Sequence, residues 1–392
     1  MIEAVVVSAV RTPVGKAPRG MFRTIQPEHL SVTSIRAALE RAPGLDPAEI
    51  DDVIMGCAFP EAEQGLNCAR NYALLAGIPD TVPGVTLTRF CASGLQSVVY
   101  AAQAVMSGQV EVVLAAGIES MSRVPGGGNK QISSWDMQKV NPGVYAGMGI
   151  TAENVAERFS VTREEQDVFA AESQRRALAA IENGTFDDEI VPVEIKRRLP
   201  GPDGTVVEKI TTTTTDEGPR PGSTVEVLSK LRPVFKKDGT VTAGNSSQTS
   251  DGAAAVVVMS AEKAESLGLE PLARFVAFAA AGCDPAVMGI GPVFAIPKVL
   301  KLAGLTMDQI ELIELNEAFA SQSVYCMREL GLDREILNVN GGAIALGHPL
   351  GATGAKLTAT LLHEMKRRKN RYGLVSMCAA GGIGCAAIFE RL

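Results

Sequence analysis

Short apolar runs alternate with longer stretches that repeat their apolar residues every three or four positions. Ala4–Ser8, Val53–Gly56 and Val112–Gly117 are runs of strand length, and Leu30–Ala42 has a helical period. This alternation over the first ~120 residues predicts an α/β unit with helices covering a sheet. From residue 121 the texture changes. Pro125-Gly126-Gly127-Gly128 opens a loop region, and helices are expected from near Thr151 and from near Arg163 to Glu182. A hairpin is expected over Val193–Ile210, turning at Pro200-Gly201-Pro202-Asp203-Gly204, followed by the run Thr211–Thr215. The α/β texture returns at Asn245. The chain therefore divides into 1–120, an inserted segment 121–245, and 246–392, with the first half returning up to about residue 270.

A weak internal repeat relates Val85–Glu119 to Leu337–Gly384. Each copy opens on a strand (Val85–Thr88; Leu337–Asn340), then has a small-residue turn, an amphipathic helix and a second apolar strand (Val112–Gly117; Leu374–Cys378). Leu95, Val98, Val99, Ala102 and Met106 lie on one helical face, as do Leu357, Leu361, Leu362 and Met365. An interface between two such copies is a natural place for a site.

Composition narrows the classes. Of 392 residues, 46% are apolar, 21% charged and 5% aromatic, which excludes whole-chain disorder. The net charge of −7 and a longest basic run of four, Lys366–Lys369, argue against a nucleic-acid binder. That run fits the last turn of a helix. No uninterrupted apolar run is long enough for a membrane span. The chain starts directly on a strand, without a leader pattern, so a cytoplasmic location is expected. Seven Cys without a CxxC pair fit reduced thiols better than disulfides or a zinc site.

Four motifs carry candidate chemistry. Cys91, in Arg89-Phe90-Cys91-Ala92-Ser93-Gly94, lies where a strand ends and a helix begins. The helix N-terminus there is expected to favour a thiolate, although a buried packing thiol is the alternative. His348 stands in Gly347-His348-Pro349, within a stretch whose Gly and Pro deny a regular element up to about residue 352. His29 and His363 sit in ordinary helical surroundings. Cys378 ends a strand before Ala379-Ala380-Gly381-Gly382, which is either an anion cradle or a tight hairpin. Asn316 follows the apolar strand Ile310–Leu315 and could orient a water or cap a helix. Two thiols, one imidazole and one carboxamide at strand ends read as acyl transfer. Papain-like proteolysis is disfavoured because it leaves the second Cys and the repeat without a role.

With Arg11-Thr12-Pro13-Val14-Gly15, Met148–Glu157 and Lys230–Asp251 added to these motifs, the chain resembles the thiolases along essentially its whole length. The resemblance implies two α/β halves with mixed five-stranded sheets, an inserted loop domain, and a homotetramer or dimer. It implies Cys91 as the acylated nucleophile and Cys378 as acid/base. His348 would activate Cys91 and, with a water held by Asn316, form one oxyanion hole. The backbone N–H groups of Cys91 and Ala380 would form a second. Many thiolases have Gly at position 380, so that donor requires a negative φ here. Ser247 and Arg220 would contact CoA; Met148, Met288, Phe235 and Phe319 would surround the acyl group. Gly147 stands where short-chain members commonly have His. The wording resembles degradative 3-ketoacyl-CoA thiolases, with acetoacetyl-CoA synthesis and a non-catalytic acyl-CoA-binding role as rivals. CoA is then a substrate, no metal or other cofactor is implied, and the resemblance extends to enzymes that pair with a hydratase/dehydrogenase partner. The other five thiols are expected to be packing residues; of these, Cys385 stands closest to the site.

Overall fold

The computed structural model describes residues 2–200, 203 and 205–392; Gly201, Pro202 and Gly204 of the expected hairpin turn lie outside the described residues. Strands β1 (Ala4–Arg11), β2 (Gly15–Lys16), β3 (Asp52–Cys57), β4 (Gly84–Leu87), β5 (Val112–Ser120) and β8 (Ser250–Ser260) belong to the N-terminal half. Strands β9 (Ala273–Gly282), β10 (Leu312–Leu315), β11 (Tyr372–Ala379) and β12 (Ile383–Glu390) form the C-terminal half. The hairpin β6 (Val193–Pro200) and β7 (Val206–Thr213) stands apart and takes in Thr211–Thr213.

The two halves share one topology. In the first, β3 pairs parallel with β5, β5 antiparallel with β8, and β8 antiparallel with β1. In the second, β10 pairs parallel with β11, β11 antiparallel with β12, and β12 antiparallel with β9. A short β1–β9 contact at Val5 and Val6 joins them into one sheet. The copies differ at the edge. β4 pairs parallel with β3, whereas Leu337–Asn340 is not a strand and keeps only the bridge Ile313–Leu337. Asn338 explains this. Its backbone turns left-handed (φ 45°), and its side-chain amide takes over both ladder groups of Leu315. It accepts from Leu315 N and donates to Leu315 O, each at 2.8 Å.

Alternation along the strands sets the layers. On β8, Ala254, Val256 and Val258 face a central core, while Ala253, Ala255, Val257 and Met259 face an outer one. A bulge between Val6 and Ser8 keeps Val6 and Ala9 on the central side and Val7 and Val10 on the outer. On β12, Cys385, Ala387 and Phe389 face the centre, and Ala386 and Ile388 face a third core. Helices Ser93–Met106 and Thr353–Arg368 fill the centre between the two half-sheets. Helices Pro27–Glu40 and Cys68–Ala76 cover the N-terminal half, and Gly291–Ala303 and Ala320–Leu330 the C-terminal half. The result is five layers, α/β/α/β/α.

Burial rather than end charge places the Thr353 helix. Leu357, Leu361, Leu362 and Met365 are fully packed, at roughly 1.5–3 kcal/mol each. Lys366, Arg367 and Arg368 in its last turn contribute about 0.3–1 kcal/mol each. Pro285–Ala303 has the mean hydropathy of a membrane span (1.5), but Ala295, Ile296, Val299 and Leu300 lie inside the third core, so it is a core helix.

Candidate active site

Close backbone approach brings the nucleophile and histidine motifs together. The helices Ser93–Met106 and Thr353–Arg368 meet at their N-termini. A Cβ added at Gly94 would lie 2.7 Å from Gly351 O, and one at Gly354 would lie 2.0 Å from Leu95 N. Only hydrogen fits at either position. Cys91 sits in the short 3-10 turn Phe90–Ala92 that leads into the first helix, and Phe90 before it takes a left-handed φ of 46°.

His348 is held on three sides. Its backbone N donates to Ser250 Oγ at 3.0 Å. Its Nδ1 lies 2.6 Å from Thr353 Oγ1, and that hydroxyl donates to Pro349 O at 2.8 Å. The hydroxyl proton is thus committed, so Thr353 accepts from Nδ1–H and Nε2 carries the lone pair. Asn316 Nδ2 approaches that nitrogen at 3.3 Å, and Asn316 Oδ1 is buried without a protein partner. Asn316 is not a helix cap: the cap of helix Ala320–Leu330 is Phe319. A short helix, Ala343–Leu346, interrupts the glycine-rich stretch where no regular element was expected. Buried Glu317 accepts from Ile344 N at 3.2 Å near the start of that helix.

Electrostatics reverse one expectation. Burial pushes the Cys91 thiol up to about 12, although the backbone N–H groups of Ala380 and of Cys91 itself point at the sulfur and pull the other way. Desolvation outweighs the helix terminus. Burial, followed by the neighbouring Cys91, pushes Cys378 well above the ordinary thiol range. His348 is pushed down to about 3 by burial and then by the Lys356 charge. All three are neutral at rest. No hydrogen bond among the described residues joins His348 to Cys91.

Cys378 is the penultimate residue of β11, and the β11–β12 turn that follows is a tight hairpin with Gly381 (φ 82°) and Gly382 (φ 80°) in the left-handed region. Ala380 is absent from the non-glycine residues with positive φ, so alanine is unstrained there and its N–H donor is retained. Cys378 packs in one apolar cluster with Met288, Phe319, Ala318, Val241 and Ala152, flanked by Met148. Phe235 meets Phe319 edge-on, with ring centroids 6.1 Å apart, and is itself half exposed. Ser247 N donates to Ala318 O at 3.0 Å, which sets Ser247 beside this cluster. Arg220 is apart: its backbone N donates to Gln174 at 2.8 Å and its side chain is exposed. His29 and His363 each bond a backbone carbonyl, Glu194 O and Ala9 O, at 2.9 Å, and lie outside the site. Cys385 is buried in the central core, within 3.9 Å of an Arg89 nitrogen.

Thr353, Ser250, Glu119 and Gln64 escaped the sequence analysis. A carboxylate closing a wholly apolar strand, Glu119 after Val112–Ile118, was the readable signal for one of them.

A repeated α/β chain with two thiols, an imidazole and a carboxamide at one locus falls in the class of thiol-dependent acyl-transfer proteins. A family model described as "Thiolase, N-terminal domain" matches residues 4–262, and "Thiolase, C-terminal domain" matches 269–391. The chain is 55% identical over 390 residues, the full length of both, to a Bacillus subtilis 3-ketoacyl-CoA thiolase. The Bacillus anthracis acetyl-CoA acetyltransferase superposes with a TM-score of 0.91 at 43% identity, over 100% of this chain and 99% of that one. The human mitochondrial 3-ketoacyl-CoA thiolase in complex with CoA gives a TM-score of 0.89 at 41% identity, over 100% and 98%. The chain belongs to the thiolase family and is an acyltransferase.

Proposed function

We propose that the protein cleaves 3-ketoacyl-CoA with CoA, giving acetyl-CoA and an acyl-CoA two carbons shorter. The observation that carries this is the placement of two buried thiols: Cys91 faces two backbone donors, and Cys378 stands among apolar side chains. In the first half-reaction the Cys91 sulfur attacks the C3 carbonyl while its proton passes to His348 Nε2. The C2–C3 bond breaks, the acyl group stays on Cys91, and the departing carbanion of acetyl-CoA takes the Cys378 proton. In the second, CoA gives its thiol proton to Cys378 and attacks the thioester. The acyl group leaves on CoA, and Cys91 recovers its proton from His348. Acyl groups and protons balance with no electron transferred, so the cycle needs no redox cofactor.

The N–H groups of Cys91 and Ala380 serve the oxyanion at the acylated carbon. A water on Asn316 Oδ1, together with His348, serves the other carbonyl. Ser247, beside the apolar cluster, and Arg220, exposed and farther off, are assigned to CoA. The human relative's complex with CoA supports CoA as the ligand.

A long acyl chain is supported at Gly147, where an added Cβ would meet nothing within 4 Å, next to Met148 of the apolar cluster. Thiolysis rates measured from C4 to C16 test this: substantial cleavage of C8 and longer substrates is expected. Activity confined to C4 would instead favour acetoacetyl-CoA chemistry.

A further inference from the structure

The Glu119 carboxylate is wholly buried at the end of β5 and sees only donors. Its Oε2 accepts from Ala58 N at 2.8 Å and from Gly351 N at 2.9 Å, and its Oε1 accepts from Gln64 Nε2 at 2.8 Å. Gln64 is buried as well. Its Nε2 also donates to Phe59 O at 3.0 Å, and its Oε1 accepts from Ser120 N at 2.5 Å. Burial pushes this carboxyl above the ordinary range, and the converging N–H groups of Gln64, Ala58 and Gly351 pull it back. A protonated carboxyl would have no acceptor among them, so the hydrogen-bond geometry favours the anion. Gly351 is wedged in the same place: an added Cβ would lie 2.6 Å from Cys57 Cα and from Ile118 O, while its carbonyl crowds Gly94. One carboxylate thus ties the ends of β3 and β5 in the N-terminal half to the loop of the C-terminal half that carries His348. The mechanism gives this group no task.

We propose that Glu119 is a positioning residue for acyl transfer, an anionic clasp that fixes the His348 loop against the Cys91 helix. It does not touch the reacting atoms. It acts through the Gly351 amide, three residues from His348. Its charge also reaches the nucleophile, opposing ionisation of Cys91. The other titratable group that interacts with Cys91 is Cys378, held neutral by burial, and His348 is held neutral in the same way. The charge therefore keeps Cys91 a thiol until substrate arrives, while the clasp keeps the proton acceptor in place.

This rests on the acyl-transfer function proposed above, and two variants separate the consequences. Glu119→Gln keeps the shape but sets an NH2 among donors and removes the charge. It is expected to lower the thiolysis kcat about a hundredfold and to leave the KM for CoA within about twofold. Its Cys91 should be alkylated faster than wild type by iodoacetamide at pH 8, followed on the Cys91 peptide by mass spectrometry. Glu119→Asp keeps the charge but is one methylene too short for the clasp. Its kcat should fall with Cys91 alkylation unchanged. Wild-type turnover in either variant overturns the proposal, as does unchanged alkylation in Glu119→Gln. If Glu119→Gln fails to fold, Glu119→Asp decides alone by the same two readouts. A wild-type protein that cleaves no 3-ketoacyl-CoA would overturn the function instead, and the alkylation comparison would still stand.

Discussion

Cys91 shows how one residue can sit between opposed fields. A helix terminus and two backbone N–H groups favour its thiolate; burial and Glu119 disfavour it, and burial wins. The resting site is then neutral throughout, and nucleophilicity depends on proton transfer to the Nε2 lone pair that Thr353 fixes on His348. With the thiol pushed up to about 12, the thiolate fraction at neutral pH is small and grows with pH. Alkylation of Cys91 by iodoacetamide in the free enzyme should therefore rise about tenfold per pH unit between pH 7 and 9 with no plateau. A plateau near pH 8 would mean that a ground-state thiolate exists and that the helix terminus prevails after all.

At the scale of elements, the close crossing of the two central helices is the feature that makes a single site from two motifs. A methyl at Gly354 would fall 2.0 Å from Leu95 N and 2.6 Å from Leu95 Cβ, where backbone must move. Gly354→Ala should cost about 1–3 kcal/mol in urea denaturation and should reduce turnover, because any displacement there shifts Cys91 against His348. Stability equal to wild type would mean that the crossing is slack. Both helices were legible in the sequence because their apolar period is regular. So was helix Arg163–Glu182, whose Thr162–Glu165 capping box is visible three residues apart. The crossing itself was not, since it depends on the absence of side chains rather than on their pattern. Leu337–Asn340 was misjudged because one amide of Asn338 replaces a strand ladder. The helix Ala343–Leu346 was missed because glycines flank it and its anchor, Glu317, comes from another segment. The candidate thiols, imidazole and carboxamide were legible as residue types from a single chain, although His348 follows the short helix Ala343–Leu346 rather than a strand. Glu119 carried only the weak signal of a carboxylate closing an apolar strand, since its partners Gln64, Ala58 and Gly351 are 55 to 232 residues away in sequence.

The whole molecule is held by a further knot of this long-range kind. Arg11, at the end of β1 and fully buried, donates to Glu189 Oε1 at 2.5 Å and to both oxygens of Asp216, at 2.8 and 2.9 Å. Thr360 of the central helix donates to the same Glu189 oxygen at 2.9 Å. Asp216 also accepts from Val14 N at 2.8 Å and opens the loop that leads to Arg220. One guanidinium therefore joins the N-terminal half to the inserted segment, and Glu189 extends the join to the C-terminal half. Burying such charges gains little net stability over an apolar core, but removing one partner leaves the others unpaired in a medium that cannot solvate them. Arg11→Met should lose about 3–5 kcal/mol of unfolding free energy. The triple replacement Arg11→Met, Glu189→Gln, Asp216→Asn should recover part of that loss, because no carboxylate of the knot is then unpaired. Buried Lys356 loses the support of Asp216 and Glu189 but also the opposing Arg11, and keeps Glu314, so the recovery is partial. Urea denaturation of the three proteins at one pH measures both terms. If the triple variant were as unstable as Arg11→Met, the loss would come from missing hydrogen bonds and shape rather than from unpaired carboxylates, and the knot would be a packing feature instead of an electrostatic one.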